Sequence, residues 1–183
     1  MKVREHTLNI VIIAMFSAIL TGGKLALSLI PNVEIVTIVI ILVTATLRLK
    51  ISLPVTFIFV TVDCLIYGIN TWSISYYIYW PLLSITFFIY NRKSIRKPIF
   101  NAILAAIMTL SFGIITTSVD TIFSGALRNG FFERVFLVMY ARGIPYFIIH
   151  IISNFTIVLL LFKPLSTLFI KLKANLYQET ISR

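Results

Sequence analysis

Acidic residues are scarce in this chain: Asp and Glu number 6 in 183 residues, against 16 Lys and Arg. Charged residues of both signs make up 12%, about half of the roughly one quarter that a soluble domain carries. A chain so poor in charge has too little to dress a water-facing surface, which excludes an ordinary soluble domain. Cysteine occurs once, as Cys64, so no disulfide closes within the chain. Set in an apolar segment, that thiol is a small hydrophobe. Two histidines, His6 and His150, are too few for a conventional zinc centre. Also missing are the nucleophile elbow G-x-S-x-G, the H-E-x-x-H metal motif and the glycine-rich phosphate loop of ATPases. Ser153 stands beside Asn154 and His150 on one helix, a poor arrangement for a nucleophile and its base. No enzyme activity, and no bound prosthetic group, is expected.

What the chain has instead is apolar length. Hydrophobic residues reach 59% and the mean hydropathy is +1.00. A membrane-spanning helix needs about 20 mainly apolar residues. Six such stretches fit, at 8–30, 33–47, 51–69, 72–91, 98–127 and 135–162. The expected fold is an all-α integral membrane protein: a single domain over 1–183, built as a bundle of six transmembrane helices. Lys2 and Arg4 before the first run resemble the start of a secretory signal. No small-residue cleavage site closes a short apolar region and further spans follow at once, so a retained helix is expected.

The net charge of +10 is distributed by side rather than by patch. With the N-terminus in the cytoplasm, the inside segments carry Lys2, Arg4, Arg48, Lys50, Arg92, Lys93, Arg96, Lys97, Lys163, Lys171, Lys173 and Arg183, 12 of the 16 basic residues. The connections around Pro31-Asn32 and Gly68–Thr71 carry none, and the third outside loop holds Arg128 and Arg134. This alternation follows the positive-inside rule and puts both termini in the cytoplasm. Anionic lipid headgroups, not nucleic acid, are the expected partner of the basic charge.

Charges within a bilayer are costly and turn toward protein or a watery cavity. Lys24, Glu34, Asp63, Asp120 and Arg142 fall at membrane depth, mainly toward the outer half. They describe a polar cavity open to the outside, or internal pairs such as Lys24–Glu34 and Arg142–Asp120. Trp72, Tyr76 and Trp80, with Tyr79 beside them, share one face of the fourth span. They suit an interfacial belt or a stacking wall for a flat ligand. Tyr146, His150 and Asn154 recur one turn apart on the last span, as interhelical hydrogen-bonders or ligand contacts. With Asn32 and Asn70 from the outer loops, the candidate substrate-binding residues are Asn32, Glu34, Asp63, Asn70, Trp72, Tyr76, Trp80, Asp120, Arg142, Tyr146, His150 and Asn154.

Ala14, Ala18, Gly22 and Ala26 recur every fourth position on the first span. Four residues advance about 400° around a helix, so they form a slowly wrapping smooth stripe. Small residues let two membrane helices approach closely, either inside this bundle or against another protein.

Three segments carry a family resemblance. Ala14-Met15-Phe16-Ser17-Ala18 is similar to an A-x-x-x-A motif on the first helix, and Ile30-Pro31-Asn32-Val33-Glu34 to a short first outer loop. The third is the closing stretch with Gly143, Pro145, Tyr146, His150, Asn154, Lys163 and Pro164. Together with the six spans, they resemble the substrate-binding S-components of energy-coupling factor (ECF) vitamin transporters. The resemblance implies a vitamin pocket facing outward, built mainly from helices four to six and the outer loops. It implies docking of Ala14 and Ala18 on the transmembrane coupling protein EcfT, which carries two cytoplasmic ATPase subunits. Gly22 and Ala26 extend that face. It further implies a multi-pass protein of a prokaryotic plasma membrane that topples to deliver its ligand inside. The first loop looks like the cobalamin type, so vitamin B12 ranks first. Folate, pantothenate, pyridoxine and a queuosine precursor follow. A non-transport membrane scaffold would use the same stripe without a wettable cavity.

Overall fold

A computed structural model describes residues 2–92, 95, 97–128 and 130–182, with side chains described for 5–92, 95, 97–128 and 130–175. Lys93, Arg96 and Arg183, and the side chains of Lys2 and Arg4, lie outside the described residues. Six helices follow in order: α1 Lys2–Ala26, α2 Val36–Leu47, α3 Leu49–Tyr67, α4 Thr71–Tyr90, α5 Pro98–Phe123 and α6 Phe132–Ser182. Among the described residues there is no strand. Four helices, α1, α3, α5 and α6, are long and apolar enough to cross a membrane. The other two fall outside that set for different reasons. The 12 residues of α2 reach about 18 Å, short of the ~30 Å hydrocarbon core. At 20 residues α4 has the length, but its serines, tyrosines and tryptophans dilute its apolarity.

The connections are built from local chemistry. Arg48 alone separates α2 from α3, with φ 76°, a backbone region costing on the order of 1–3 kcal/mol for a side-chain-bearing residue. Lys173 of α6 steadies that corner by donating to the Thr46 carbonyl at 2.8 Å, a cation at a helix C-terminus. Gly68, with φ 80°, ends α3. Asn70 then caps α4, its side chain accepting from the Ser73 N–H while Ser73 Oγ accepts from the Asn70 N–H. This reciprocal capping satisfies two amides the first turn cannot. Pro98 opens α5 at a position where its missing N–H costs nothing.

α2 occupies the centre. It packs against α1, α3, α4 and α6, and all of its residues but Ala45 are buried. A helix apolar on every face belongs in such a place. Besides the Lys173 contact, a hydroxyl chain ties it to its neighbours: Thr44, Ser52 of α3 and Ser84 of α4 hydrogen-bond in series. The longest helix, α6, lies along α5 and also contacts α2 and α1. The sixth span is expected to end at 162, but α6 continues to Ser182 through Pro145 and Pro164. Its 51 residues make about 76 Å of helix, more than one crossing uses. Large apolar side chains face outward on every long helix, among them Ile10, Phe57, Ile107 and Ile152. Such a surface is suited to hydrocarbon and compatible with a multi-pass membrane protein.

Candidate functional site

The C-terminal ends of α1, α3 and α5 lie with the N-terminal ends of α2, α4 and α6 at one end of the bundle. Between them lies a cavity of about 1070 Å³. Its walls come from five of the helices and from the connections: Lys24 on α1, Leu27, Ser28 and 30–34 of the connection leading to α2, Asp63 and Tyr67 on α3, Asn70, Trp72 and Tyr76 at the start of α4, Phe112, Thr116, Thr117 and Asp120 on α5, and residues of α6 between Met139 and His150.

Ten of the twelve candidate residues line it: Asn32, Glu34, Asp63, Asn70, Trp72, Tyr76, Asp120, Arg142, Tyr146 and His150. Trp80 and Asn154 do not. Trp80 is 1% exposed, one turn below Tyr76, and packs edge-on to it with ring centroids 5.7 Å apart. Trp72 is 61% exposed, at the rim. The expected stacking wall is therefore interrupted: one face of α4 runs from solvent at Trp72 to core at Trp80, leaving Tyr76 to meet the cavity. Asn154 is 1% exposed and donates from Nδ2 to Thr109 Oγ1 at 3.0 Å, bridging α6 to α5.

The charge pairing differs from the expected one. Lys24 Nζ contacts Asp63 Oδ1 at 2.6 Å, not Glu34, because α1 packs along α3. The ammonium also lies 4.7 Å from the Tyr76 ring centroid and 5.1 Å from that of Tyr67, so two aromatic faces share in its stabilisation. Glu34 instead reaches across to α6, its Oε1 lying 3.0 Å from His150 Nε2, and accepts from Thr37 Oγ1 at 3.1 Å. The His150 ring stands edge-on to Phe112 at 5.5 Å. Arg142 and Asp120 form no ion pair with each other. Both line the cavity, on α6 and α5, yet no charged partner lies within reach of either among the described residues.

Tyr67, Phe112, Met139 and Phe147 also line the cavity and carry no chemical motif that marks them. For Tyr67 a signal existed: it stands four residues after Asp63, on the same helical face. Phe147 is seated by glycines. A Cβ on Gly143 would lie 2.6 Å from its ring and one on Gly113 of α5 3.1 Å, so a side chain at 143 would push the ring out of this wall, whereas one at 113 would ask it to give by only a few tenths of an ångström. Among the described residues no three metal-ligating side chains come together.

The small-residue stripe lies elsewhere. Ala14, Ala18, Gly22 and Ala26 are all exposed, and a Cβ built on Gly22 meets nothing within 4 Å. The next residue, Gly23, is the one that faces the bundle, with Ile35 pressed into the space a Cβ would take. The stripe thus remains uncovered on the outer surface of α1. No family model, curated protein or solved structure matches this chain.

Proposed function

We propose that this chain is a high-affinity ligand-binding subunit of the ECF type, an S-component that captures a vitamin outside the cell and hands it inward with a coupling protein and ATPases. The observation that carries this reading is the cavity: about 1070 Å³, at the upper edge of the roughly 300–1,000 Å³ typical of small-molecule sites, opening at one end of a membrane-compatible bundle. All six helices then serve as spans, with the short α2 shielded from lipid by its neighbours. The connections 27–35 and 68–70 at the cavity end lack Lys and Arg. Arg48, Lys50, Arg92, Lys97, Lys171 and Lys173 cluster toward the other. By the positive-inside rule the cavity faces outward and both termini lie in the cytoplasm.

The uncovered stripe of Ala14, Ala18, Gly22 and Ala26 is the docking face for EcfT, since a smooth helix surface permits close approach in lipid. The chain itself supplies no ATP chemistry; two ATPase subunits on the partner do. Cobalamin remains the first substrate candidate because the cavity is large and rimmed by aromatic rings. Folate, pantothenate, pyridoxine and a queuosine precursor are the alternatives. A membrane scaffold shares the stripe but has no use for the cavity.

A thermal-shift panel of water-soluble vitamins on the detergent-purified protein tests the proposal. A ligand at 100 times its Kd adds about 2.7 kcal/mol of stability. Stabilisation by one vitamin supports the binding role and names the substrate. A flat panel at concentrations well above micromolar rejects a vitamin-binding subunit in favour of the scaffold.

A further inference from the structure

Six charged or imidazole side chains face the cavity, and they divide unequally. Lys24 is held by Asp63 and His150 by Glu34. Asp120 and Arg142 are left without an ion pair or side-chain hydrogen bond among the described residues. A protein that pairs four such groups across helices while leaving two unpaired in the same cavity has not neutralised its site. The cavity neighbours of Arg142 on α6 are Met139, Gly143, Tyr146 and Phe147, none of which carries a compensating charge. Arg142 lines the cavity with an exposed side chain, and its guanidinium can receive an oxyanion directionally, since two parallel N–H donors match a carboxylate or phosphate. Unpaired ionised groups at membrane depth face a bundle interior or a water-filled cavity, where they serve substrate pathways. Asp120 has the opposite preference, accepting hydrogen bonds only.

We propose that the ligand carries an anionic oxygen group, a carboxylate or phosphate, seated on Arg142, and N–H donors turned toward Asp120. This rests on the solute-binding reading and narrows it: cobalamin with its phosphodiester and amides fits, as do folate and pantothenate, whereas pyridoxine lacks the anion. The same chemistry would also be offered by a phospholipid headgroup, and the experiment separates the two sources.

Wild type, Arg142→Gln, Arg142→Lys and Asp120→Asn, each as the full chain in detergent, are titrated by thermal shift. The probes are cyanocobalamin, dicyanocobinamide (the corrinoid without its phosphate), folate, pantothenate, pyridoxine, inorganic phosphate and dihexanoyl phosphatidylglycerol. The expected result is binding of an anion-bearing vitamin, weakened at least about tenfold by Arg142→Gln, the least that a charge-assisted hydrogen bond is worth. Arg142→Lys should recover part of that loss, and the ligand-free melting temperatures of the variants should match wild type. Dicyanocobinamide binding as tightly as cyanocobalamin, a preference for pyridoxine, or full affinity in Arg142→Gln overturns the inference and leaves the vitamin-binding role standing. Stabilisation by inorganic phosphate alone, dependent on Arg142, upholds the anion site while removing the vitamin. A shift with the phosphatidylglycerol alone assigns the anion to lipid and overturns the proposal, and a flat response to every probe removes both.

Discussion

Lys24 shows how one residue is settled by its surroundings. Its ammonium meets Asp63 at 2.6 Å, with side chains only 22% and 13% exposed. Removing one partner of such a pair strands the other charge. Lys24→Met should therefore cost about 2 kcal/mol, less than for a fully buried pair because solvent still reaches it. Adding Asp63→Leu should restore most of that loss. A double-mutant cycle on denaturation midpoints reads the coupling, and additive losses would mean the pair contributes nothing. Tyr79 is the opposite case. Its hydroxyl is buried beside Thr109, whose oxygen donates to the Ala105 carbonyl and accepts from Asn154, yet no hydrogen bond of good geometry joins the two hydroxyls. Tyr79→Phe should then leave stability within about 0.5 kcal/mol or raise it slightly, since no satisfied bond is lost. A fall in melting temperature would place a structural partner on that oxygen.

Among the elements, α1 and α2 divide two tasks. In α2 every turn is buried and apolar, so it organises the bundle. The outer face of α1 is left smooth, and its inner face holds the core through Ile12, Phe16 and Leu20. Because Ala14 and Ala18 project outward, replacing both by tryptophan should alter the stability and ligand affinity of the isolated protein little, within about 0.5 kcal/mol. The same change should abolish uptake in cells. Uptake that survives removes the stripe from docking, while lost stability returns it to internal packing. Four-residue periodicity made the stripe itself legible in the sequence. Which way it faces was not, since neighbouring Gly22 and Gly23 are equivalent in composition and only the position of Ile35 distinguishes them.

For the whole molecule, orientation is the property that exposes the proposal most directly. In a Cys64→Ala background, a cysteine at Leu127, exposed in the connection between α5 and α6, should react with a membrane-impermeant maleimide in intact cells. One at Lys97 should react only after lysis. The reverse pattern would turn the cavity to the cytoplasm and exclude capture from outside. The basic residues that argue for this orientation sit in connections and near helix ends, where charge is legible without a fold.

Composition and apolar run lengths alone determined the all-helical class, the approximate limits of most helices, and the residue types gathered at one end. These are local properties: a run of apolar residues forms a helix in lipid whatever its neighbours, because only internal hydrogen bonds are on offer there. Only the tertiary structure decided which charges meet. Lys24 and Glu34 are ten residues apart, yet Lys24 turns to α3 and Glu34 crosses to α6, because helix packing brings Asp63 and His150 nearer in space than the chain does. It decided, too, that Trp80 and Asn154 lie beneath the cavity while Tyr67, Phe112 and Phe147 line it. Depth along a helix face relative to its neighbours carries no mark in a one-dimensional pattern.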